Sequence, residues 1–167
     1  MIEKITNNAD ETNVQDLFAS QSLFEVPYFQ RSYKWKPVKL LAFGADLSRL
    51  ADVGESDEIH FIGAVIIQGH QAPPTDARSY QVIDGQQRLT TIFLFLLGII
   101  KAQIELNEFE QATSLFKTFL VTSLRTGEKS NLKLHPSGAD RHDLNQVIKE
   151  VLEFKNFHTY LAPFSIK

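Results

Sequence analysis

The residues best suited to chemistry in this chain are Asp84-Gly85-Gln86-Gln87-Arg88. They stand between an apolar run that ends at Ile83 and a longer one that begins at Leu89. Such runs predict a strand before the motif and a helix after it. The first turn of a helix has unpaired backbone N–H groups and the positive end of the helix dipole. Gly85 permits a tight turn and close approach by a ligand. Gln86 and Gln87 offer neutral donors, and Arg88 offers a planar fork that matches two phosphate oxygens. Together they define a phosphate-binding site, with Asp84 placed to hold a divalent cation, orient a water or grip Arg88. The competing reading is an ordinary Asp-Gly turn with Arg88 as a solvated or ion-paired surface residue. Local spacing leaves both open.

A second stretch, Val26-Pro27-Tyr28-Phe29-Gln30-Arg31-Ser32-Tyr33-Lys34-Trp35, interleaves aromatics with cations. Such a pattern suits a nucleobase that stacks on a ring while Arg or Lys meets its phosphate. Gln30, Arg31 and Tyr33 are the candidate contacts. In the alternative, the aromatics are core, Trp35 above all, and Arg31 is a structural ion-pair partner. His60 opens His60-Phe61-Ile62-Gly63 and suits a general base, a phosphate contact or a satisfied structural histidine. Gly63, inside an apolar run, marks close approach of another backbone or ligand. His135, His142 and His158 have no metal-ligand spacing.

These residues need elements to position them. Residues 80–83 predict a buried strand, and a long apolar helix follows from about 86 to about 106, with 89–100 in the core. A rigid core helix is a good mount for a site. Residues 61–67 form a continuous apolar run rich in β-branched types, which predicts a strand covered on both faces. A strand over 23–28, ending at Pro27, and a short helix over 13–19 precede it. Residues 38–50 predict a helix with Leu40, Leu41, Leu47 and Leu50 near one face. Residues 54–58 predict a turn and 68–79 a loop. Residues 109–124 predict another helix and 132–134 a short strand. Asp140 is expected to cap a last helix with Leu144, Val147, Ile148, Val151 and Leu152 inward. The aromatic tail Phe154, Phe157, Tyr160, Phe164 is expected to pack on something, either a further part of a longer protein or a copy of itself.

The 167 residues suit one domain with a small additional element. Lys plus Arg number 17 against 20 Asp plus Glu, a formal net charge of -3, so no global basic field favours duplex DNA. With no cysteine, disulfides, Cys-type zinc sites and thiol catalysis are excluded. The N-terminus lacks the pattern of a signal peptide. The longest apolar run is roughly half of the ~20 residues a membrane helix needs. A cytoplasmic protein with no membrane partner is the expectation. Interleaved helices and strands predict an α+β or α/β-like class.

Three segments together, 26–35, 60–63 and 82–91, resemble the GmrSD-type restriction endonuclease N-terminal domain in order and spacing. The third, Val82-Ile83-Asp84-Gly85-Gln86-Gln87-Arg88-Leu89-Thr90-Thr91, is similar to the hallmark of that family. The likeness covers roughly residues 10–150. It implies a ParB- and sulfiredoxin-like fold: a small mixed sheet packed by helices, with residues 1–125 binding nucleotide and 126–167 starting a helical extension. It also implies a bacterial protein that acts against foreign, often modified, DNA, with nucleoside triphosphate binding and hydrolysis tied to the Asp-Gly-Gln-Gln-Arg motif and Mg²⁺ as cofactor. Carried over, catalytic roles fall on Asp84, Gln86, Gln87 and Arg88. Nucleotide contacts fall on Gly85, Arg88, Gln30, Arg31, Tyr33 and His60, and the metal falls on Asp84. Many members carry a helical region and an HNH-type nuclease after this domain, through which DNA is cut. A sulfiredoxin reaction is excluded for want of a cysteine. Two other readings remain at this point: a DNA-sensing module without turnover, and a scaffold or dimerisation domain.

Overall fold

The computed structural model describes residues 10–53, 59–69, 78–122 and 131–161. Helix α1 (Val14–Ala19) is capped by Asn13, whose side chain accepts from the Asp16 amide at 2.7 Å. Strand β1 (Ser22–Glu25) buries Ser22 and Phe24 and leaves Glu25 exposed. Pro37 opens α2 (Pro37–Val53), a position where the missing N–H has no helical partner to lose. Strands β2 (Ile66–Gly69) and β3 (Arg78–Asp84) come next, then α3 (Gln86–Glu105). Helix α4 (Phe109–Leu115) runs on into a π turn, Phe116–Leu120. Three short strands follow: β4 (Val121–Thr122), β5 (Asn131–Leu132) and β6 (Leu134–His135). Helix α5 (Gly138–Glu153) and a 3-10 segment, Phe154–Leu161, end the described chain.

The main sheet has the order β2-β3-β1-β6. Strand β1 lies parallel to β3 and to β6, and β2 runs antiparallel to β3. Strands β4 and β5 pair separately. A small mixed sheet packed by helices makes this an α+β protein, as the sequence predicts. Helix α3 buries Leu89, Ile92, Phe93, Leu97, Ile100 and Ile104, which recur at helical spacing. They join Phe18, Phe24, Val82, Phe116, Leu134, Leu144, Ile148 and Phe157 in one core. By length and composition α3 is apolar enough to cross a membrane, and half of its most apolar stretch is buried within the protein.

Lys133, between β5 and β6, ties the two sheets. Its carbonyl accepts from the Phe24 amide at 2.7 Å, and its amide donates to the Leu120 carbonyl at 2.9 Å. The side chain is wholly buried, and Nζ donates to the carbonyls of Phe18 at 2.5 Å and Thr118 at 2.6 Å. Burial pushes this amine down to about 8, because an apolar interior disfavours the ammonium.

Several expectations are corrected. The run 61–67 is not a doubly covered strand: only Ile66 onward is strand, β2 is an edge, and Phe61 is 82% exposed. Gly63, at φ 102°, breaks the extended backbone that the run requires. Strand β1 stops at Glu25, because the chain turns after Pro27. Helix α2 buries Phe43 and exposes Leu41. The strand over 80–83 extends to 78–84, and Ile83 is exposed. The helix from 109 ends at Leu120, where Val121 and Thr122 leave to pair with β5. The strand over 132–134 is two strands either side of Lys133. Ser137, not Asp140, is the N-cap residue of α5, and Val147 on its expected inner face is exposed. Residues 54–58, 70–77, 123–130 and Phe164 lie outside the described residues, whereas 68–69 and 78–79 are strand.

Candidate functional site at the head of the central helix

Strand β3 ends at Asp84 and α3 begins at Gln86, so Gly85 alone joins them. Gly85 takes the left-handed conformation, φ 92° and ψ 9°. A Cβ there would stand 3.0 Å from Val65 Cα and Cγ2. Glycine is therefore required twice over, by torsion and by space. Gly85 contributes no side chain to cap α3, and its carbonyl already takes the Arg88 amide at 3.0 Å, so only the Gln86 and Gln87 amides of the first turn are left to water or a ligand.

Arg88 is the third residue of the helix, within its first turn. Its Nη1 donates to the Ala64 carbonyl at 2.8 Å and lies 3.7 Å from Asp84 Oδ2. Gly63 lies directly under the guanidinium, since a Cβ on it would come within 2.7 Å of Arg88 Nε. The Arg88 side chain is 33% exposed and that of Asp84 69%. So open an ion pair contributes little to stability. The carbonyl and the glycine seat hold the arginine, and a third of it remains open to solvent.

The two glutamines are buried and reach back to the segment before α2. Gln87 Oε1 accepts from the Lys34 amide at 2.7 Å, and its Nε2 donates to the Ser32 carbonyl at 3.2 Å. One side chain thus pairs with extended backbone at two points, as a neighbouring strand does. Gln86 Nε2 donates to the Arg31 carbonyl. Gln86 is 8% exposed, and its Oε1 has no hydrogen-bond partner among the described residues. A buried orphan acceptor costs about 1–3 kcal/mol, which marks a place where a water or a ligand donor belongs.

Tyr33 completes the clamp. Its amide donates to Asp140 Oδ2 at 2.8 Å. Its hydroxyl lies 2.8 Å from Thr91 Oγ1, which itself donates to the Gln87 carbonyl, so Tyr33 is the donor to Thr91. Burial pushes this hydroxyl above its ordinary value. Gln30 Nε2 donates to the Ile83 carbonyl at 3.1 Å, next to Asp84.

Gln30, Arg31 and Tyr33 are therefore brought against the motif. Arg31 touches it through its carbonyl, while its side chain is exposed. His60 instead packs edge-on against Phe43 at 6.1 Å, in a cluster with Trp35 and Phe95. Among the described residues no bond joins it to Asp84–Arg88. Nor do they contain a group of three or more His, Asp or Glu able to hold a metal. Mg²⁺ keeps waters and relies on substrate phosphates, so the donor set fits that ion as a companion of a phosphate ligand.

Sequence reasoning missed Ala64, Thr91 and Asp140. A backbone carbonyl leaves no trace in a sequence. Asp140 was expected to be a cap, whereas its carboxylate takes the Tyr33 amide and the Ser137 hydroxyl.

Fold and site define a small α+β domain whose central helix begins in a glycine-joined, arginine-bearing turn, held by a backbone clamp. The sequence matches the model of the GmrSD restriction endonuclease, N-terminal domain, over residues 14–165. The chain belongs to that family, and is thereby a domain of a restriction protein that serves phage defence. Among curated proteins none matches it.

Proposed function

We propose that this domain binds a nucleoside triphosphate at the head of α3 and hydrolyses it, as the control domain of a restriction protein. One observation carries the reading. Uncapped amides, a seated but partly open guanidinium and the unpartnered Gln86 Oε1 belong to one helix head. The Arg88 guanidinium and the Gln86 and Gln87 amides meet phosphate oxygens. Gln86 Oε1 is the acceptor left to orient the attacking water, while Gln87 holds the frame. The water oxygen bonds to the terminal phosphorus as the bridging oxygen leaves with the diphosphate, and the water's proton passes to a phosphoryl oxygen. Asp84 is the carboxylate open to Mg²⁺, which when bound neutralises phosphate charge. Phosphoryl transfer needs mainly positioning and charge stabilisation, so this set suffices. DNA contact and cleavage fall, in this reading, to the full-length protein and its nuclease region.

The test is calorimetric titration with each nucleoside triphosphate, with and without Mg²⁺, alongside phosphate release. Arg88→Ala should weaken binding roughly ten-fold or more, as loss of a charge-assisted contact does. An Arg88→Ala protein that binds and turns over nucleotide as the parent does would falsify the proposal.

A further inference from the structure

Beside the phosphate turn lies a second feature that the fold does not explain. The Gln30 amide donates to the Pro27 carbonyl at 3.0 Å, closing a tight turn with Tyr28 and Phe29 at its corners. Turn corners favour Gly, Pro, Asn, Asp and Ser, each for a backbone reason. Aromatic rings there serve no such need, and these gain nothing from burial: Tyr28 is 88% exposed and Phe29 69%. The rings stand edge to face at 5.5 Å. The turn is fastened to the site twice, by Gln30 to the Ile83 carbonyl and by Gln86 to the Arg31 carbonyl. Ile83 is exposed, as is Ile66, the strand partner of Asp84.

Two exposed rings in mutual contact, on a turn pinned to the site, make a candidate binding surface. Two cations are tied to it through the chain: Arg31 follows directly on the turn, and Gln30 holds the turn to the Ile83 carbonyl, next to Asp84, the ion-pair partner of Arg88. A ligand that suits both has a flat π face at one end and an anion at the other. We infer that Tyr28 and Phe29 form the base-stacking platform for the nucleoside triphosphate whose phosphates meet Arg88. The inference rests on the nucleotide reading above and assigns the end of the ligand that reading leaves without a partner. Stacking tolerates any base, since each has a π face, so the platform adds affinity with little choice among bases.

The test compares three probes on the whole chain: inorganic triphosphate, the four ribonucleoside triphosphates, and a short single-stranded oligonucleotide. The paired substitution Tyr28→Ala, Phe29→Ala should weaken nucleoside triphosphate binding roughly ten-fold or more. It should leave inorganic triphosphate binding and the melting temperature unchanged, and Phe29→Trp should retain affinity. Equal nucleotide affinity in parent and variant, with both still dependent on Arg88, overturns the platform and leaves the phosphate site standing. Loss confined to the oligonucleotide overturns it too, because the rings then serve a polymer. If the parent binds neither inorganic triphosphate nor nucleotide, the phosphate site itself has failed, and the platform with it.

Discussion

At Gly63 a methyl group would stand 2.7 Å from Arg88 Nε, on backbone at φ 102° that side chains rarely adopt. Gly63→Ala therefore strains the chain by about 1–2 kcal/mol and pushes the guanidinium off its seat. The melting temperature should fall by a few degrees, roughly as such a loss predicts. Nucleotide affinity should fall towards that of Arg88→Ala. A lowered melting temperature with unchanged affinity would show that Gly63 serves the fold alone. A glycine in an apolar run signals close approach in the sequence. What approaches was not legible, because the arginine lies 25 positions further on.

The segment 31–34 has no regular structure of its own and depends for its backbone partners on α3 and, at Tyr33, on Asp140 of α5. Gln87→Ala leaves the Ser32 carbonyl and the Lys34 amide unpaired, a loss of about 1–3 kcal/mol for each group that stays buried. Hydrogen exchange at Lys34 should quicken. Gln87→Glu keeps the acceptor for that amide and should protect it better than alanine does. Equal exchange rates in parent and Gln87→Ala would refute the clamp. Helix α3 itself was legible, since its apolar spacing and the Asp-Gly break are local signals. The run 61–67 was misjudged for a related reason. Its composition suits a buried strand, yet burial depends on which strands lie beside it, and among the described residues β2 has a neighbour only in β3.

At the scale of the whole molecule, a buried amine lies where the two sheets meet. Lys133 titrates at about 8 in the fold against an ordinary 10.5. Between those values the unfolded chain binds more protons than the native one, so stability rises as pH rises through that window. The gain is lost again as pH falls towards 8. Urea midpoints measured near both ends of the window should rise with pH in the parent and rise less in Lys133→Met. Matching slopes would remove Lys133 from the account. At the alkaline end, where Lys133 is neutral and still donates, the methionine variant should be less stable, because the Phe18 and Thr118 carbonyls lose their donor. By itself the sequence determined the α+β class and the strand, glycine and helix around Asp84–Arg88, because hydrophobic period and turn chemistry act over neighbouring residues. Only the tertiary structure decided that Ala64 and Gly63 seat Arg88, that the glutamines grip 31–34 and that Lys133 bridges two sheets. Those partners lie from 13 to 115 positions apart. They meet largely through backbone carbonyls, which every residue carries and no residue type announces.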